Sequence, residues 1–175
     1  MKLAASVALA LVCCCGLPAC ADEPDSVDSK CKELGKAYVL AKCGGPKDVL
    51  ESSLAEEIIL LPGHEFLKKD YGINPSGDRG KQMKVSREKL IDLHQTAWKA
   101  LPDAKKRKIA DMLEKSVYTF VVASGELTDA GGRLKLPTRP GDVVMKVQTK
   151  DPGDFLLYVL RRLDGQWKVV TDYTD

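Results

Sequence analysis

The sequence predicts an α+β fold, with N-terminal helices packed on a curved C-terminal antiparallel sheet of three to four strands. Three observations predict it. The stretch Asp154 to Tyr173 reads as two apolar strands joined at Asp164-Gly165, a pair suited to the positive φ angles of a two-residue type I′ turn. Upstream, apolar residues recur at helical spacing in several segments. The helical segments come first and the strand-like ones last, in one run each.

The hairpin is the organising element. On its first strand, Phe155 to Leu163, one face carries Phe155, Leu157, Val159 and Leu163, and the other Leu156, Tyr158 and Leu160. A strand apolar on both faces is expected inside a sheet covered on both sides. Its partner alternates. Trp167, Val169, Thr171 and Tyr173 share one face, with Lys168, Val170 and Asp172 opposite.

The elements before it follow in order. Val27, Cys31, Leu34, Tyr38 and Ala41 make the stripe of a first helix, 27–42, capped by Asp28 or Ser29 and stopped by Gly44-Gly45. Pro46 opens a second helix, Lys47 to Leu61, with Leu50, Leu54, Ile58 and Leu61 inward. Pro62-Gly63 ends it, His64 to Tyr71 adds a helical turn, and Gly72 to Lys84 reads as an exposed loop. Ser86 caps a third helix, Arg87 to Ala100, and a fourth runs from Ala104 to about Val122. The run Tyr118 to Ala123 is β-branched and aromatic, so that end is open to a strand reading. Arg133 to Leu136 is a short edge strand, and Asp142 to Lys150 a fuller one.

The N-terminus is read as a targeting segment. Lys2 precedes an apolar run, Leu3 to Val12, too short to span a membrane. Leu17-Pro18-Ala19-Cys20 resembles a bacterial lipobox, which would lipidate Cys20; Ala19-Cys20-Ala21 also fits cleavage before Asp22. The division is therefore 1–21 signal and anchor, 22–26 acidic linker, and 27–175 one domain. An exported protein follows, in the periplasm or on the outer membrane as a lipoprotein, with the lipid anchor as its membrane contact.

Of six cysteines, Cys31 and Cys43 remain in the domain. An oxidising compartment favours a bond between them. A helix opposes it, since twelve residues at 1.5 Å hold their Cα atoms about 18 Å apart. Either the helix breaks near Gly35 or both thiols are free.

Composition excludes some functions. At 44% hydrophobic and 30% charged the chain is globular, and a net charge of +2 argues against general nucleic-acid binding. There is no metal-ligand spacing, no nucleophile elbow and no cofactor motif. His64 and His94 are the sole imidazoles. His94 reads as a packing residue on an apolar helix face. The run Lys105 to Lys108 reads as a solvated first turn, with a patch for anionic lipid headgroups or an acidic envelope protein partner as its functional alternative.

The aromatic residues read first as core. A sharper reading places Trp98, Phe120, Tyr158 and Trp167 around a concavity between helices and sheet, suited to an apolar small molecule or lipid. The motif evidence points the same way. Trp98, Pro102 with Lys105, Tyr118 and Phe120, Val143 to Val147, Tyr158 and Leu160, and Gly165-x-Trp167-Lys168-Val169 with Asp172 stand in a recognisable order. In this order the chain resembles the NTF2-like (cystatin-like α+β) superfamily. Within it, residues 98–174 are most similar to the MlaC-like, toluene-tolerance family of periplasmic phospholipid shuttles. That resemblance implies a non-enzymatic lipid carrier. Two other readings stand beside it: an envelope interaction module with a filled core, and a small isomerase or dehydratase using His94 and a nearby carboxylate.

Overall fold

The computed structural model describes residues 27–61, 82–128, 135–149 and 155–174. The signal, lipobox and linker readings, and those for His64 and most of 62–84, lie outside the described residues. Helices α1 (Ser29–Lys42) and α2 (Lys47–Ser53) are followed by strands β1 (Leu54–Leu61) and β2 (Met83–Ser86). Next come helices α3 (Arg87–Ala100) and α4 (Asp103–Glu114). Strands β3 (Val117–Val122), β4 (Leu127–Thr128), β5 (Lys135–Leu136), β6 (Val143–Gln148), β7 (Phe155–Leu163) and β8 (Gln166–Thr174) complete the order.

The class is α+β, but the sheet is larger than expected and mixed. Six strands lie in the order β2-β1-β8-β7-β6-β3, and β1 runs parallel to β8. The expected helix over 47–61 is the source of the difference. Its stripe Leu50, Leu54, Ile58 has a spacing of four, and residues four apart share a face in a strand as well as in a helix. The chain turns extended at Leu54, and Leu54, Ile58 and Leu60 become the buried face of β1. Met83 and Lys84, expected in a loop, pair with β1. The fourth helix stops at Glu114, and Val117–Val122 forms an edge strand on β6.

The hairpin forms as its sequence dictates. Asp164 has φ 49° and Gly165 φ 79°, the left-handed pair of a type I′ turn. Strand β7 lies inside the sheet and is covered on both sides. Leu156, Tyr158 and Leu160 face the helices with Met145 and Val147. Leu157 and Val159 face a second cluster closed by Leu127 and Leu136 of the antiparallel β4–β5 pair.

Helix α1 is unbroken, so Cys31 and Cys43 stay apart and free. Gly35 is buried where the helix crosses the sheet. A Cβ there would lie 2.7 Å from Met145 Sδ, so the buried Met145 side chain would have to move. Asp28 caps the helix by accepting from Lys30 N at 2.9 Å. Its other oxygen accepts from Trp167 Nε1 at 3.0 Å. One carboxylate thus closes α1 and ties it to β8. Asp28→Ala should lower the melting temperature by a few degrees. Trp167→Phe should reproduce part of that loss, a test by thermal unfolding of both variants.

Candidate functional site

A β-bulge decides which side chains meet under the helices. In the β7–β8 ladder Leu160 pairs with Val169 but Val159 pairs with Thr171, so Val170 is an extra residue in β8. An extra residue inverts the alternation beyond it. Trp167 and Val169 face the helices as expected, whereas Val170 and Tyr173 pack on the second face. Asp172 is thereby turned to the helix face, opposite to the strict alternation read from the sequence.

There it meets a tyrosine and a lysine from successive turns of α1, an i,i+4 pair on one face. Tyr38 donates to Asp172 Oδ2 at 2.7 Å. Lys42 Nζ donates to Oδ2 at 2.7 Å and to Oδ1 at 3.0 Å. Lys42 also reaches the hydroxyl of Tyr158 at 3.3 Å. From α3, His94 Nε2 stands 3.5 Å from the Tyr38 hydroxyl and 3.6 Å from Asp172 Oδ2. The two tyrosine rings meet edge to face, with centroids 5.5 Å apart. Four ionisable groups from three elements therefore surround one buried carboxylate.

Burial costs charged groups their solvation, and this cluster offsets the cost internally. Burial pushes the Asp172 carboxyl up, but the Lys42 ammonium, the nearby His94 imidazole and the hydrogen bonds from Lys42 outweigh it and hold the group below the usual carboxylate range. Burial, then the charge of Lys42, lowers His94 from 6.5 against the pull of Asp172. The imidazole is therefore neutral at pH 7. The ionised carboxylate favours the proton on Nε2, and Nδ1, with no hydrogen bond among the described residues, keeps a lone pair. Burial, then Asp172, holds the Tyr158 phenol well above 10.

Both depressed groups make the fold acid-sensitive. The unfolded chain takes up a proton at His94 before the folded one does. Its contribution to stability is complete above 6.5 and is lost as pH falls below 6.5 towards the folded value. The contribution of Asp172 is complete above 3.8 and is lost at still lower pH. Melting temperature against pH should thus fall in two limbs, and His94→Gln should remove the upper one alone.

The four aromatic residues assigned to one ligand wall are not brought together. Trp98 lies against Gly44 at the C-terminal end of α1, and Trp167 is held by Asp28 at its N-terminal end. Fourteen helical residues, about 20 Å, separate those ends. Phe120 packs at the margin of the main core from edge strand β3. Tyr158 is fully buried inside the cluster. The sequence pointed to His94 and Tyr158 but not to Lys42, and it placed Tyr38 in a packing stripe. The available signals were a lysine one turn after a stripe tyrosine, and an acid inside an otherwise apolar final strand.

Beside the cluster lies a pocket of about 150 Å3, lined by Lys42, Gly44, Gly45, Gln95, Trp98 and Lys99 among others. Among the described residues no helix is long and apolar enough to cross a membrane.

No protein-family model matches the chain, so the phospholipid-shuttle resemblance gains no support. No curated protein matches it either. Two crystal structures are similar over most of their length. One is a candidate ketosteroid isomerase from Shewanella frigidimarina NCIMB 400, 14% identical with a TM-score of 0.38, covering 86% of this chain and 98% of its own. The other is a DUF4783 family protein from Bacteroides fragilis YCH46, 12% identical with a TM-score of 0.31, covering 79% and 94%. Likenesses of this depth describe neither the activity nor the ligand of this chain.

Proposed function

We propose that this chain is a small proton-transfer enzyme of the isomerase or dehydratase kind on an NTF2-like fold. The observation that supports it is the meeting of His94 with an ionised, buried Asp172 and the Tyr38 hydroxyl. Asp172 orients and supports the imidazole, whose Nδ1 takes a proton from a carbon next to a carbonyl. The same nitrogen returns it at another position. Buried ionisable groups with displaced pKa values concentrate at working sites, because a packing role is served as well by apolar residues.

The experiment is deuterium wash-in. Small oxo and hydroxy compounds in D2O are followed by proton NMR with wild type and His94→Gln. Wild type should exchange the carbon-bound proton about 10²–10⁴ times faster than the variant. Exchange at the buffer rate, or equal exchange by both proteins, contradicts the assignment.

A second reading, an envelope interaction module with a filled core, is favoured by one observation. Tyr38 and Tyr158 are fully buried and the cluster satisfies itself. In that case His94→Gln changes the acid limb of stability and nothing else. An apolar-ligand carrier has less support, since Trp98 and Trp167 stand at opposite ends of α1. Export remains part of the proposal and rests on Leu17 to Cys20. Mass spectrometry of the mature amino terminus distinguishes an acylated Cys20 from a start at Asp22.

A further inference from the structure

We infer that the pocket at the C-terminal end of α1 binds the carboxylate of a small acid, which makes the substrate class a three- or four-carbon oxo or hydroxy acid. This rests on the proton-transfer reading for its chemistry and on separate observations for its ligand. The pocket holds about 150 Å3, room for about five waters at their liquid volume. That is room for a short acid.

Its polar lining is one-sided. Gln95, Trp98 and Lys99 bring an amide, an indole N–H and an ammonium, and no carboxylate lines it among the described residues. Lys42 is shared with Asp172. The Gln95 amide, the Lys99 ammonium and the Trp98 N–H have no protein partner among the described residues. Donors left over around a concavity that no carboxylate lines are complementary to an anion with several acceptor sites.

The backbone fits the same purpose. Gly44 has φ +87°, and a Cβ there would lie 2.0 Å from Trp98 Nε1. The absent side chain lets the indole edge come down onto the α1 terminus. Trp98 and Gln95 flank His94 on α3, at i+4 and i+1. Lys42 belongs to both the pocket and the cluster and connects them.

The test uses mature protein carrying Trp167→Phe, which leaves Trp98 as the sole tryptophan. Pyruvate and 3-hydroxybutyrate are titrated against their neutral amides, with Trp98 emission as the readout. The acids should saturate and bind at least about tenfold more tightly than the amides, as expected when a charged partner is lost. Lys99→Met, on an exposed helix face, should abolish that preference while leaving the melting temperature unchanged. Equal binding of acid and amide, no saturable change, or an acid preference untouched by Lys99→Met overturns the inference. Acid binding without proton exchange keeps the inference and removes the enzymatic reading. Exchange on neutral carbonyl compounds without acid preference does the reverse.

Discussion

Replacing Lys42 by methionine should destabilise the fold by about 3–5 kcal/mol, the usual cost of leaving one partner of a buried ion pair uncompensated. The side chain of Asp172 is 4% exposed and that of Lys42 13%, so water cannot take the lysine's place at the carboxylate. The variant removes the ammonium while keeping most of the apolar stem, which separates lost charge from lost packing. Lys42→Met/Asp172→Leu should regain much of the loss, because the stranded charge goes as well. Chemical denaturation of wild type, single and double variants measures this. A single variant within 1 kcal/mol of wild type, on the scale of an exposed pair, would show that the carboxylate is solvated and the cluster open.

The second large effect is expected at Gly44. Gly44→Val imposes a left-handed backbone on a β-branched residue, at about 1–2 kcal/mol. It also forces new atoms into the Trp98 indole, and overpacking of this kind costs about 1–3 kcal/mol more. The C-terminal end of α1 must then shift or Trp98 must leave. Either outcome lowers the melting temperature and moves Trp98 emission towards that of a solvated indole. Gly165→Val shares the positive φ but meets nothing within 4 Å, so its loss should be smaller by the overpacking part. Equal losses at the two positions would mean that Trp98 does not rest on Gly44.

Local chemistry made some elements legible in the sequence. Asp164-Gly165 named its own turn, Ser86 accepts from Lys89 N as an N-cap should, and α3 keeps the predicted bounds. The two apolar faces of β7 foretold two clusters. Other elements were hidden because two periods coincide. Leu54 and Ile58 satisfy a helix and a strand equally, and only pairing with the distant β8 selects the strand. The site was hidden for a third reason. It depends on one inserted residue, Val170, and a bulge carries no fixed signature in a run of valines and threonine. Without the bulge Asp172 would face away from His94, and each would read as an ordinary residue. Tyr38 and Lys42 were visible as an i,i+4 pair, but their meaning depends on which strand face lies opposite.

The same bulge makes the cluster a sharp claim about one imidazole. The chain has two histidines, so imidazole resonances followed by NMR against pH can be assigned with His64→Gln. His94 should titrate below 6.5 and show cross-relaxation with the ring protons of Tyr38. A His94 that titrates at or above 6.5 with no contact to Tyr38 would place it outside the Asp172 cluster and contradict the site.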